Sequence, residues 1–158
     1  MFRTVIALAA LVSATWPALA GEADFHGRWE IKSVVIGPWH DPSQPLPDHD
    51  TGPQVGQVVE IAKGRMTGPK LLDCAPVELQ TGTVPYLGMF EGGLAVETGN
   101  KPSADEVATA RRHAEALGFT AEPVEELTHS CSEISLFRVN ATTLVFGLDY
   151  RIFTLGKP

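Results

Sequence analysis

Positive charge is scarce in this sequence. Its 158 residues carry 12 Lys and Arg against 19 Asp and Glu, a formal net charge of −7. A protein that binds nucleic acid by neutralising phosphates needs a basic face, so that class is excluded. Cysteine is scarcer still, with only Cys74 and Cys131. No C-x-x-C occurs, which leaves a thioredoxin-like redox role without support. The composition also lacks the long apolar runs of a polytopic membrane protein, each about 20 residues. No P-loop, dinucleotide fingerprint, H-E-x-x-H, EF-hand loop or G-x-S-x-G is present. Turn formers, by contrast, are plentiful: 15 Gly and 12 Pro. That share favours one domain of many short elements over a helix bundle.

Residues 1–20 read as a cleaved signal peptide. Arg3 supplies a short positive region, Val5 to Val12 an apolar core, and Ala18-Leu19-Ala20 a small-residue cleavage site. Cleavage after Ala20 removes Arg3 and no acid, so the remaining chain is one unit more acidic. The expectation is a periplasmic or secreted protein with no membrane span after cleavage, and a single domain over 21–158. In an oxidising compartment, two cysteines imply one Cys74–Cys131 disulfide. Closing so long a loop is worth about 4 kcal/mol in the chain-entropy model.

Most of the remaining chain alternates with period two, the mark of half-buried strands. In 27–36, Trp29, Ile31, Ser33 and Val35 oppose Arg28, Glu30 and Lys32. Further strands are expected at 56–62, 65–68, 74–82, 124–131, 133–139, 142–148 and 151–155. The stretch 83–100 reads as a short strand or a packed loop. One helix is expected near 104–117. Ser103 and Glu106 form a capping box, Gly118 stops the helix, and Val107, Ala110, Ala114 and Leu117 make an apolar stripe. His113 falls on its wet side. The fold class is therefore mainly β: a small antiparallel barrel of about seven to nine strands with one helix covering a face or an end.

The G-x-W of Gly27-Arg28-Trp29, on the first strand, resembles the lipocalin-like (calycin) pattern. The resemblance implies that Trp29 packs across the closed end of the barrel under an Arg from a late strand. Arg151 is the expected partner and Arg138 the alternative. The Thr-Asp-Tyr order of a central strand is missing, and the helix precedes the last strands instead of following them. The resemblance therefore carries architecture and no ligand chemistry.

The segment 37–56, GPWHDPSQPLPDHDTGPQVG, is long for a connection within one domain, and such loops are often lids or binding loops. Trp39 is a candidate aromatic anchor or a cover for the barrel mouth. His40, Asp41, Asp48, His49 and Asp50 make an acidic loop. His40, His49 and Asp50 are the alternative set for a zinc ion. Adjacent His-Asp pairs point opposite ways in extended chain, which weighs against convergence. His129 lies near Ser130 and Ser132, but neighbours on one strand cannot form a triad. His129 reads as a hydrogen-bonded core histidine.

The functional expectation is a non-enzymatic binding protein that implies no cofactor. It would hold a small apolar ligand or a protein partner at the barrel mouth or the long loop. The alternatives are an inhibitor or immunity-type protein binding a basic enzyme, a metal-dependent enzyme at the 40–50 loop, and a structural envelope protein.

Overall fold

The computed structural model describes residues 21–47, 52–95 and 102–158. The signal-peptide reading of 1–20 lies outside them, as do Asp48, His49 and Asp50. The described chain forms β1 (Gly27–Ile36), β2 (Val58–Ala62), β3 (Arg65–Thr67), β4 (Leu79–Val84), α1 (Ala104–Ala116), β5 (Val124–His129), β6 (Leu136–Asn140), β7 (Thr143–Leu148) and β8 (Arg151–Gly156). The eight strands make one antiparallel, curled sheet in the order β3-β2-β1-β8-β7-β6-β5-β4.

The segment leading into β4 reaches both edges of this sheet. Cys74 exchanges two backbone hydrogen bonds with Met66 of β3, and the Val77 amide donates to the Gly64 carbonyl. One residue later, Glu78 begins the pairing with β5: its carbonyl accepts from the Ser130 amide, and Leu79 lies opposite His129. The Cys74–Cys131 disulfide, with Cα atoms 5.9 Å apart, fixes this crossing covalently.

The sheet has two apolar faces. The inner one is filled by side chains such as Trp29, Ile31, Ile61, Met66, Phe146 and Phe153, all essentially without solvent contact. Phe146 and Phe153 stack with centroids 4.7 Å apart. The outer face of β5–β8 is covered as well. Val124, Phe137, Val145 and Ile152 pack there against Ala110 and Ala114 of α1 and against a kinked 3-10 segment, Tyr86–Gly92. This double coverage explains why Leu144, Val145 and Phe146 are buried in succession, a pattern closer to a buried strand than to a half-wet one. The stretch 83–100 was open to a strand or a packed loop. Its described part supplies the end of β4 and the 3-10 cover.

Two helix expectations change. Ser103 and Glu106 do form the capping box, but Val107 is 41% exposed, so the buried stripe narrows to Ala110 and Ala114. His113 turns inward, where its Nδ1 lies 2.9 Å from the Leu94 carbonyl oxygen. On β1 the alternation breaks at a bulge between Ile31 and Ser33. An extra residue switches every later side chain to the other face. Val34, not Ser33 or Val35, therefore packs against the interior, and Val35 is 48% exposed.

Trp29 heads the interior as expected, with its indole N–H donating to the Phe25 carbonyl at 2.8 Å. The cation over its ring is Lys157, whose Nζ lies 4.9 Å from the ring centroid. Register explains why it is not Arg151. Arg151 pairs with Ile36, at the far end of β1 from Trp29, and six residues of strand span about 20 Å. Arg151 donates instead to the Pro47 carbonyl at 3.3 Å. Arg138 pairs with Glu125 on the neighbouring strand.

Candidate functional site

The long loop does not gather its ligand-type residues, as far as it is described. Asp41 is fully exposed and accepts a hydrogen bond from the Ser43 amide at 2.9 Å. That bond, aided by the Ser43 side chain, holds its carboxyl below the usual range. His40 turns its ring to Tyr150, with centroids 5.4 Å apart. Among the described residues, no group of three or more His, Cys, Asp or Glu is placed to hold a metal ion. His129 is buried, but neither ring nitrogen has a hydrogen-bond partner among the described residues. Burial therefore pushes its pKa down.

Trp39 leaves the loop and folds onto the outer face of the sheet. Its ring lies against two glycines: a β-carbon on Gly37 would fall 2.6 Å from it, and one on Gly93 would fall 2.7 Å away. Trp39 stacks on Phe90 with centroids 5.4 Å apart. Phe90 meets Phe137 of β6 edge-on at 5.0 Å. Gly147 of β7 makes room for this, since a β-carbon there would sit 2.7 Å from the Phe90 ring. Glycine within a strand commonly marks such a close approach.

This aromatic ladder forms the floor of an open groove of about 580 Å³. One wall is Leu71 with the 132–135 turn, tied together by a hydrogen bond from the Ser132 hydroxyl to the Leu71 carbonyl at 3.2 Å. The disulfide stands beside this wall, because Cys131 precedes Ser132 and Cys74 closely follows Leu71. The two-residue turn Asp149-Tyr150, between the paired Leu148 and Arg151, brings Asp149 into the lining. Both turn residues have positive φ, 46° and 63°, which is type I′ geometry.

Four carboxylates line the groove: Glu91, Glu126, Glu133 and Asp149. Among the described residues, no Lys, Arg or His lines it. The ion pairs of the described residues lie elsewhere, at Glu22–His26, Glu30–Lys32, Glu122–Arg111 and Glu125–Arg138. Backbone strain is concentrated at the same place. Among the described residues, the non-glycine ones with left-handed φ are Phe90, Glu91, Asp149 and Tyr150. Three of them line the groove and the fourth adjoins it. Each such residue costs roughly 1 kcal/mol or more, and strain of this kind clusters at functional sites.

Sequence reasoning found Trp39 and missed the rest. In the sequence, Glu126 is an ordinary charge on a strand and Asp149 an ordinary turn residue. Glu91 and Glu133 carried no motif. The available signals were Gly147 inside an otherwise apolar strand and the Gly92-Gly93 pair beside Phe90. Comparison of the chain with family models, curated proteins and solved structures gives no match. The eight-stranded curled sheet is compatible with a barrel family, and the likeness goes no further than that.

Proposed function

We propose that this chain is an exported, non-enzymatic binding protein whose binding surface is the outer groove floored by Trp39, Phe90 and Phe137. One observation carries the reading. Side chains occupy the inner face, whereas the outer face holds a concavity of about 580 Å³ with an aromatic floor and four carboxylates that make no ion pair among the described residues. Ligand sites commonly fall in the range of roughly 300–1,000 Å³, with apolar linings and a few placed polar groups. The disulfide and the lack, among the described residues, of a helix long and apolar enough to cross a membrane are consistent with export.

The test is native mass spectrometry of the protein purified from its own compartment, as wild type and as Phe90→Ala. A bound species carried by the wild type and lost from a folded Phe90→Ala protein supports the reading. A species that both forms retain, or the same bare mass from both, overturns it.

A further inference from the structure

We infer that the groove docks a basic polypeptide segment, laying an Arg or Lys side chain over the Trp39–Phe90 stack and pairing further cations with the rim. This inference rests on the binding role proposed above and names the partner's chemistry.

Charge complementarity is the first argument. Glu91, Glu126, Glu133 and Asp149 face one concavity, and no ion pair with a described residue offsets them. Four like charges in one groove repel one another, and a cationic occupant relieves that repulsion. The second argument is spacing. Glu126 stands on β5 and Asp149 follows β7, with β6 between them. Glu126 is level with Val145 through Phe137, and Asp149 lies four residues further on, so two strand spacings and that stretch of strand put their backbones roughly 15 Å apart. Glu133 and Glu91 come from two further segments, the β5–β6 connection and the 3-10 cover. Carboxylates spread this widely cannot converge on one metal ion or one ammonium group. They match several cations carried along a chain.

The third argument is the floor. An aromatic face attracts a guanidinium or ammonium placed within about 6 Å, more strongly when the pair is shielded from water. Here Gly37, Gly93 and Gly147 let the two rings lie tight against the backbone, so the platform is already formed. Exposed apolar surface adjoins the carboxylates: Tyr150, next to Asp149, is 43% exposed, and Leu71 of the lining is 41% exposed. Apolar and aromatic surface flanking a charged groove suits a polypeptide better than a free polyamine.

The test uses the ¹⁵N-labelled chain from residue 21 and a synthetic alternating Arg-Gly decapeptide, with spermine and an alternating Glu-Gly decapeptide as comparisons. Trp39 and Trp29 supply two indole N–H signals, one in the groove and one buried in the interior. The Arg peptide is expected to shift the Trp39 indole and the Gly88, Phe90 and Gly147 amides, and to leave the Trp29 indole in place. Raising NaCl from 0.05 to about 0.5 M should weaken binding at least tenfold, because screening shortens the reach of the rim charges. The combined variant Glu126→Gln, Glu133→Gln, Asp149→Asn should lose at least tenfold in affinity. Asn is chosen at 149 because it tolerates positive φ. Glu60→Gln with Asp73→Asn, on exposed carboxylates outside the groove, should bind like the wild type.

Equal loss in both variant sets, shifts scattered over the acidic surface, or no saturable shift would overturn the inference. Spermine binding as tightly as the peptide would overturn it in favour of small polyamines. These outcomes are separable from failure of the binding role itself. A native ligand lost from Phe90→Ala while the Arg peptide fails leaves the groove as a site and removes only its cationic partner.

Discussion

Phe90 occupies the space that a side chain at position 147 would need. A β-carbon on Gly147 would approach its ring to 2.7 Å, and that ring carries both Trp39 and Phe137. A glycine in mid-strand normally weakens a sheet. Here it sets the level of the groove floor.

Gly147→Val should therefore displace the aromatic ladder. We expect a loss of about 1–3 kcal/mol by overpacking, with a shift of the Trp39 indole signal and none at Trp29. Urea denaturation and a ¹⁵N correlation spectrum check it. A variant with wild-type stability and an unmoved Trp39 signal would show that Phe90 does not rest on this strand.

The disulfide should matter to the groove as well as to stability. Cys74→Ala with Cys131→Ala removes the link between the edge-crossing segment and the β5–β6 turn. Loss of such a bridge from a small domain costs about 2–5 kcal/mol. Urea midpoints measure that loss. In any remaining folded protein, the Leu71, Ser132 and Ile134 amides should exchange with deuterium faster than those of β7. Uniform acceleration would argue against a local wall held by the bridge.

His129 makes stability depend on pH. Burial lowers its pKa in the folded protein below the 6.5 of a free imidazole. The unfolded chain then binds more protons as pH falls, so folding is favoured less. Its contribution is complete above about pH 6.5 and is lost as pH falls below that value. His129→Leu should flatten the fall in unfolding free energy between pH 7.5 and 5. Parallel pH profiles for the two proteins would contradict this assignment.

Lys157→Met keeps the aliphatic stem and removes the charge over Trp29. A loss of about 0.5–1 kcal/mol is expected for an exposed cation–aromatic contact, along with a change in the near-ultraviolet circular dichroism of Trp29. Arg151→Met should leave that signal alone. The opposite pattern would place the arginine on the ring.

The β class, the single helix, its capping box and the cysteine pair were all legible from the chain. Each depends on short-range pattern: period two, a Ser-x-x-Glu start, an even cysteine count. The partner of Trp29 was not legible, because it depends on which residues of β8 lie opposite which residues of β1. The bulge at 31–33 likewise depends on pairing, and it moved Val34 inward against the alternation. Trp39 was recognised as a candidate, but its seat was not, since Phe90, Phe137 and Gly147 come from three separate parts of the chain. The carboxylates Glu91, Glu126, Glu133 and Asp149 look like ordinary surface charge in one dimension. They become a group only once the 3-10 segment is folded over β6 and β7.

β1 and β8, the earliest and latest of the described strands, are hydrogen-bonded neighbours, with Glu30 opposite Gly156. The seam between them closes only after every other described strand has been made. Assembly of the sheet is therefore a task for the whole polypeptide, and such distant pairings slow folding. Removing residues 151–156 would therefore take a strand out of the middle of the sheet and leave β1 and β7 with no neighbour between them.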